Sequence, residues 1–353
     1  IPTTTFKKSP LFSDGLLTYS FDQNLAPGTI VSIPLGKKTA LGIIYRKTIA
    51  PTDQNFIIKS INKIVHPIPL PNHLLKSLTW LSSYYLNPVA KTANLFLPLG
   101  IEKNRRKKFS TPATATVTTT VVTQNSNNSA ITSPKIPLNS AQKQALSELH
   151  KIKTHTKLLH GITGSGKTNI YLELASQVFS SNQSVILLVP EISLTPQLVG
   201  RFQEHFGTQV ISLHSKLTEA ERHLIWQRIH EADQSTPFVV IGPRSALFSP
   251  LKNLGLIIID EAHEPSFYQD TSPRYHALRL ASFMAQTLKI DCLLGTATPR
   301  VEDYFLAQKN HAYVALSEKA KSITSQTKIS LIDLKDRALF TRNRYFSDAL
   351  LQD

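Results

Sequence analysis

The sequence predicts an α/β fold over its last two thirds, with a parallel sheet covered by helices on both faces. Six short apolar runs, rich in Val, Ile and Leu, alternate there with segments of helical periodicity. They are Lys157–Gly161, Ser184–Pro190, Gln209–His214, Phe238–Gly242, Leu256–Asp260 and Asp291–Gly295. Continuous apolar strands with helices between them are typical of parallel sheets buried on both faces.

Residues 1–108 predict a separate, small, mainly-β domain. Gly28–Gly36 and Ala40–Lys47 are strand-favouring runs between Gly and Pro residues. Leu70–Leu86 has apolar residues three and four apart, which indicates one amphipathic helix that closes this domain. Residues 109–137 are rich in Thr, Ser and Asn, and we expect a flexible linker, with a lone strand as the less favoured alternative. The α/β unit then spans 138–353.

The charge balance indicates a polyanionic partner. Lys plus Arg number 39 against 24 acidic residues, a formal charge of +15. A basic soluble protein without such a partner is the alternative. The single cysteine, Cys292, cannot form an internal disulfide or a multi-cysteine zinc site, which fits a reducing cytoplasm. No apolar run is long enough to span a bilayer.

The segment "GITGSGKT" predicts a phosphate-binding loop. It fits G-x-x-x-x-G-K-[ST], follows a predicted strand and opens a predicted helix. Backbone N–H groups and the helix N-terminus favour phosphate there. Lys167 is expected to reach the β- and γ-phosphates and Thr168 to bind Mg²⁺. The expected nucleotide-binding residues are Gly161, Thr163, Gly164, Ser165, Gly166, Lys167 and Thr168. The alternative is a glycine-rich turn that matches by chance.

An acidic pair follows the strand at Leu256–Asp260 and has the form of a Walker B motif. We expect Asp260 to hold Mg²⁺ and Glu261 to orient or deprotonate the attacking water. His263 has no companion at metal-ligand spacing, so a polar network is its expected role and an ordinary surface histidine the alternative. Lys167, Asp260, Glu261 and His263 are the predicted catalytic residues, and a charged solvated loop is the competing interpretation.

Three motifs in this order, "GSGKT", "DEAH" and "GTATP", resemble the first RecA-like lobe of superfamily 2 helicases. Leu188–Gln197, Ile241–His263, Ser266–Asp270 and Pro273–Ala277 more specifically resemble the PriA family of replication-restart DNA helicases. The resemblance is strong from about residue 138 to 334 and weaker in the first hundred residues. It implies a RecA-like P-loop lobe preceded by a mainly-β domain that binds DNA 3′ ends, with ATP and Mg²⁺ as cofactors.

The resemblance also implies roles for particular residues. Gln142 takes the place of an adenine-reading glutamine, with a bare helix-surface glutamine as the alternative, and Tyr19 lies by the pocket for the DNA 3′ end. Thr18 stands where the family often has Asp. Thr296 and Thr298 would relay the nucleotide state. The implied DNA contacts are Thr195, Gln197, Arg244 and Ser245 on the backbone, and Phe267, Tyr268, Arg274 and Tyr275 in an aromatic-rich loop. Packing of these aromatics in the core is the alternative.

By comparison with the family, we expect two parts to be absent from the 353 residues. They are a winged-helix domain, whose place the Thr/Ser-rich linker takes, and the second motor lobe, which in the family carries the arginine fingers and the inserted zinc-binding cysteines. We therefore expect weak ATP binding, very slow hydrolysis and no unwinding by this chain alone.

The function implied is 3′-to-5′ DNA unwinding in replication restart, through fork recognition and primosome assembly. Expected partners are forked and single-stranded DNA, primosome proteins, single-stranded DNA-binding protein and the loader of the replicative helicase, in the cytoplasm. The alternatives are a fork-binding scaffold with a vestigial ATPase and a superfamily 2 translocase that acts on RNA.

Overall fold

In a computed structural model of the protein, the structure describes residues 16–47, 57–102, 137–318 and 331–351. The predicted linker at 109–137 lies outside these residues, apart from Pro137. Two sheets of three or more strands are found in the described part, one on each side of that gap.

The first sheet has three antiparallel strands, β1 (Ile30–Leu35), β2 (Lys38–Ile43) and β3 (Lys63–His66), in the order β2-β1-β3. The predicted strands at 28–36 and 40–47 correspond to β1 and β2, whereas the short β3 was not predicted. Alternate side chains of the sheet, with Ile61, form a small apolar cluster. The predicted β-sheet of the N-terminal part is therefore confirmed, together with its helix, α1 (Asn72–Tyr84).

The second sheet has seven strands that are all parallel, in the order β12-β4-β11-β8-β5-β7-β6. The strands after β3 are β4 (Thr156–Gly161), β5 (Ser184–Leu188), β6 (Val210–Ser212), β7 (Val239–Gly242), β8 (Leu254–Ile259), β9 (Tyr268–Gln269), β10 (Tyr275–His276), β11 (Asp291–Thr296) and β12 (Tyr313–Leu316). The predicted parallel α/β fold is confirmed, and every predicted strand of this sheet is present. The edge strand β12 and the β9–β10 hairpin, residues 268–276, were not predicted.

Eight α-helices are found among the described residues. They are α1 (Asn72–Tyr84), α2 (Val89–Ala93), α3 (Ser140–Lys151), α4 (Lys167–Ser180), α5 (Pro196–Phe206), α6 (Glu219–Glu231), α7 (Ala277–Leu288) and α8 (Val301–Lys309). The predicted helix at 70–86 is α1. None of the helices in the described ranges is long and apolar enough to cross a membrane.

The helix α1 packs on the large sheet's domain as well as on its own small sheet. Leu74, Leu78 and Leu81 belong to the same buried cluster as residues of β8 and α7. The rings of Trp80 in α1 and Phe283 in α7 stack with centroids 4.6 Å apart and planes 12° apart. The N-terminal part and the parallel-sheet domain therefore share one of the buried apolar clusters.

Candidate nucleotide-binding site

The phosphate-loop segment connects the end of β4 to the start of α4. Gly166 precedes the helix with φ +81°, a left-handed conformation that favours glycine. The Lys167 side chain is 8% exposed, and its Nζ donates a hydrogen bond to the Gly161 carbonyl at 2.9 Å. No carboxylate in the described part of the chain forms an ion pair with Lys167. A buried ammonium that forms no direct ion pair is suited to an anionic ligand.

Gln142 supports this loop from α3. Its Nε2 donates to the Ser165 carbonyl at 3.0 Å, and its Oε1 accepts from the Asn139 N–H at 3.1 Å. Gln142 is 1% exposed, so the bare-surface alternative is wrong. The adenine-reading role stays a prediction, because both ends of the amide are engaged within the protein here. The Ser165 Oγ is buried and has no hydrogen-bond partner in this part of the structure.

The acidic pair lies at the carboxyl end of β8. Asp260 Oδ1 accepts a hydrogen bond from the Tyr171 hydroxyl of α4 at 2.8 Å. Burial raises the pKa of Asp260, while the Tyr171 hydrogen bond and the charge of Lys167 act in the opposite direction. Because β4 and β8 both run parallel to β11, the Lys167 loop after β4 and Asp260 after β8 lie at the same edge of the sheet.

Tyr171 was missed by the sequence analysis, although it lies four residues after Lys167 and hence on the same helix face. The side chain is fully buried, and burial followed by the Asp260 charge raises the pKa of Tyr171 well above its ordinary value. Its hydroxyl passes directly over Gly295 of β11. A Cβ at position 295 would lie 1.7 Å from the Tyr171 Oη, so only glycine leaves room for this hydroxyl.

Glu261 and His263 belong to a polar network between the loop after Asp260 and the end of β11. Glu261 has a positive φ of 49°, and burial and the Asp260 charge raise its pKa. His263 Nδ1 and Thr296 Oγ1 are hydrogen-bonded at 2.8 Å, and Nδ1 lies 3.5 Å from Glu261 Oε2. The Thr298 N–H donates to Thr296 Oγ1 at 3.1 Å. The two threonines of "GTATP" are thereby joined to the acidic loop.

The aromatic-rich segment corrects part of the expectation. Phe267 and Tyr275 are each 1% exposed, so their ring faces pack in the core and are not accessible to a base. Tyr268 is 41% exposed and Arg274 is also exposed. Arg244, expected to contact DNA, donates through Nη1 to the carbonyls of Ser266 and Tyr268. The guanidinium of Arg244, which follows β7, therefore holds the backbone of this segment in place.

The remaining predicted DNA contacts lie in two places. Thr195 and Gln197 follow β5, and Ser245 follows the neighbouring strand β7, so all three lie at the same sheet edge and are exposed. Thr195 Oγ1 accepts from the Leu198 N–H at 3.3 Å as the cap of α5. Tyr19 lies on the small sheet, where its hydroxyl donates to the Pro34 carbonyl at 3.0 Å.

The residues expected to hold Mg²⁺ have suitable chemistry. Magnesium prefers oxygen ligands and usually takes one or two carboxylates together with substrate phosphates and water. Asp260 supplies a carboxylate beside the phosphate loop, and Thr168 lies in the first turn of α4 with its side chain partly exposed. No group of three or more His, Cys, Asp or Glu side chains able to hold a metal is found among the described residues.

Comparisons with known proteins match both parts of the chain. Residues 8–98 match the 3′ DNA-binding domain (3′BD) model of PriA, and residues 135–301 match the model of the type III restriction enzyme res subunit. Replication restart protein PriA of Bacillus subtilis is 41% identical over 226 residues, covering 62% of this chain and 27% of that protein. The Chlamydia pneumoniae protein is 32% identical over 391 residues, covering 90% and 51%. The Rickettsia felis protein is 32% identical, covering 92% and 47%.

The fold and the matched domains define a helicase-type nucleotide-binding lobe joined to a 3′ DNA-binding domain. More specifically, the chain is similar to part of the replication restart protein PriA. It spans about half the length, or less, of these relatives.

Proposed function

We propose that this chain is the ATP-binding and DNA 3′-end-binding part of a 3′-to-5′ DNA helicase that acts in replication restart. The observation that carries the proposal is the convergence of Lys167, Tyr171 and Asp260 at the carboxyl ends of β4 and β8. Ligands of open parallel sheets bind at this edge. The matched 3′ DNA-binding domain supports DNA as the substrate of the same chain.

Each residue of the site has a separate task in hydrolysis of the γ-phosphate. Lys167 and the backbone N–H groups at 163–168 would bind the phosphates. Bound Mg²⁺, held by Thr168 and Asp260, would offset phosphate charge. Glu261 would orient and accept a proton from the attacking water, a role favoured by its raised pKa. His263 and Thr296 would hold the Glu261 loop in place through their hydrogen bond.

The DNA contacts are proposed along the same sheet edge and on the β9–β10 hairpin. Thr195, Gln197 and Ser245 would contact phosphates with hydroxyl and amide groups. Tyr268 and Arg274 would contact a single strand by stacking and charge. Forked DNA, primosome proteins, single-stranded DNA-binding protein and the helicase loader are the partners proposed for the protein in the cell.

Substitution of Lys167 tests the proposal. We expect Lys167→Ala to weaken Mg²⁺-dependent binding of a fluorescent ATP analogue by about tenfold or more, because a charged hydrogen-bonding group is lost. Lys143→Ala, at an exposed position on α3, is the matched control and should leave that affinity unchanged. Equal affinities for the two variants would contradict a phosphate loop at 161–168. A preference for RNA over DNA oligonucleotides would favour the RNA translocase instead.

Hydrolysis by the 353 residues alone is proposed to be very slow. The arginine that a second lobe contributes in comparable systems accelerates phosphoryl transfer by about three to five orders of magnitude. Rapid, DNA-stimulated hydrolysis in a single-turnover assay would contradict this part of the proposal.

A further inference from the structure

The turn that follows α1 holds the backbone of the β9–β10 hairpin. Asn87 Nδ2 donates to the Arg274 carbonyl at 2.7 Å, and the Arg274 N–H donates to Asn87 Oδ1 at 3.1 Å. The His276 N–H donates to the Tyr85 hydroxyl at 3.1 Å. One amide side chain therefore pairs with both backbone groups of Arg274, as a neighbouring strand would.

The position of Asn87 is fixed by α1. Its own N–H donates to the Ser82 carbonyl at 3.0 Å, and the Ser82 hydroxyl donates to the Asn87 carbonyl at 2.7 Å. Asn87 and Ser82 are both buried, which strengthens these hydrogen bonds by excluding water. Because the Trp80 ring stacks on Phe283, this turn is also fixed relative to α7. The location of the hairpin is thus tied to that of α1.

Hydrogen bonds continue from the hairpin to the acidic loop. Arg300 Nη1 donates to His276 Nε2 at 2.8 Å, and Arg300 Nη2 donates to the His263 carbonyl at 3.0 Å. His263 in turn lies 3.5 Å from the Glu261 carboxylate. A contiguous path of polar contacts therefore joins Asn87 and Tyr85, through the hairpin and Arg300, to the site of hydrolysis.

We propose that Asn87 is a positioning residue that couples a single nucleic-acid strand on the β9–β10 hairpin to the nucleotide site. The inference rests on the proposed function, because it requires that both ligands bind this chain. Asn87 fixes the backbone of Arg274, whose guanidinium, with the Tyr268 ring, is exposed for phosphate and base contact. Asn87 lies within the region that matches the 3′ DNA-binding domain, so this domain positions the hairpin that would contact the strand.

Coupling is a measurable free energy between two ligands and acts equally in both directions. The test uses the 353-residue chain and two ligands, a fluorescent ATP analogue with Mg²⁺ and an oligo-dT with a free 3′ end. The coupling factor is the ratio of the nucleotide dissociation constants without and with saturating oligo-dT. For the unsubstituted chain we expect the oligo-dT to change nucleotide affinity by about fivefold or more.

Asn87→Ala removes both bonds to Arg274 and should bring the coupling factor close to one, while nucleotide affinity without oligo-dT stays unchanged. Asn87→Asp keeps an acceptor for the Arg274 N–H but lacks the donor, and should give an intermediate factor. This second variant carries the test if Asn87→Ala does not fold. Asn72→Ala, at an exposed position in the first turn of α1, is the matched control and should keep the full factor.

Full coupling in folded Asn87→Ala or Asn87→Asp overturns the inference. So does an unsubstituted chain that binds both ligands without any coupling. A chain that binds neither ligand contradicts the proposed function itself, and with it the inference that depends on it.

Discussion

The nucleotide edge and the β9–β10 hairpin lie in the same α/β domain but are held in different ways. At the nucleotide edge, the Tyr171–Asp260 and Gln142–Ser165 hydrogen bonds join elements that all belong to the parallel-sheet domain. The hairpin is supported by Arg244 on one side and by Asn87 of the N-terminal part on the other. The described hydrogen bonds of the nucleotide edge are therefore made within the lobe, whereas the hairpin is also held by a residue outside it.

The largest expected effect comes from Gly295→Ala, which acts on the nucleotide edge alone. The new Cβ would overlap the Tyr171 hydroxyl, and overpacking of this kind costs about 1–3 kcal/mol of unfolding free energy. Urea denaturation measures the loss. Gly200→Ala, where the added Cβ meets open space within α5, is the control and should stabilise the protein by about 0.5–1 kcal/mol.

A double variant sharpens the interpretation of Gly295. Tyr171→Phe removes the atom nearest to the new Cβ, so Tyr171→Phe with Gly295→Ala should lose less stability than the sum of the two single changes. If the two losses of unfolding free energy were strictly additive, the Tyr171 hydroxyl would not be the group that position 295 must accommodate.

Tyr171→Phe alone is expected to act on ligand binding more than on the fold. Asp260 loses its only side-chain hydrogen-bond donor in the described part of the chain, so Mg²⁺-dependent nucleotide affinity should fall by about tenfold. Titration of the fluorescent ATP analogue with and without Mg²⁺ separates this effect from binding to the phosphate loop. Tyr304→Phe, at an exposed tyrosine of α8, should change neither value. Equal losses in the presence and absence of Mg²⁺ would argue against a role through Asp260.

The smallest expected effect is on the pH dependence of stability. It concerns His276, the last residue of the β9–β10 hairpin, which Arg300 joins to the loop after Asp260. Burial, followed by the nearby Arg300 and Arg279 charges, lowers the pKa of His276 from 6.5 to about 4. A lowered folded-state pKa contributes stability above pH 6.5 that is lost as the pH falls from 6.5 towards 4. Protonation also removes the acceptor for Arg300.

Comparison of urea unfolding at pH 7 and pH 5 checks this contribution. His276→Gln keeps an acceptor for Arg300 but does not titrate, so its stability should fall less between the two pH values than that of the unsubstituted chain. The remaining fall comes partly from His73 and His230, whose pKa values burial also lowers to about 4. An identical fall in the variant would exclude His276 from the pH dependence.

The sequence alone predicts much of the fold, because continuous apolar runs such as Ser184–Pro190 are distinctive of buried parallel strands. It predicts the phosphate-loop position for a similar reason, since strand, loop and helix are consecutive in the chain. The order of the strands is not predictable in this way, because hydrophobic patterns do not specify neighbours. The two-residue strands β9 and β10 are too short to carry a periodic signal.

Some side-chain roles can likewise be predicted from the sequence and others cannot. Tyr171 could have been found, since its spacing from Lys167 on a helix is a local property. Asn87 could not, because its partner Arg274 is 187 residues away in the chain. The sequence likewise does not reveal that Phe267 and Tyr275 are buried, since an aromatic-rich run can supply either core packing or stacking surfaces.

The shared packing of α1 and α7 has a practical consequence for dissecting the protein. The Trp80–Phe283 stack and the Asn87–Arg274 pairing both join residues before Glu102 to residues after Pro137 without a covalent link. Residues 1–102 and 137–353, produced as separate fragments, should therefore reassociate by complementation. Each fragment by itself would expose to water the apolar residues that the other fragment covers. We therefore expect co-expression to be needed to obtain the two fragments.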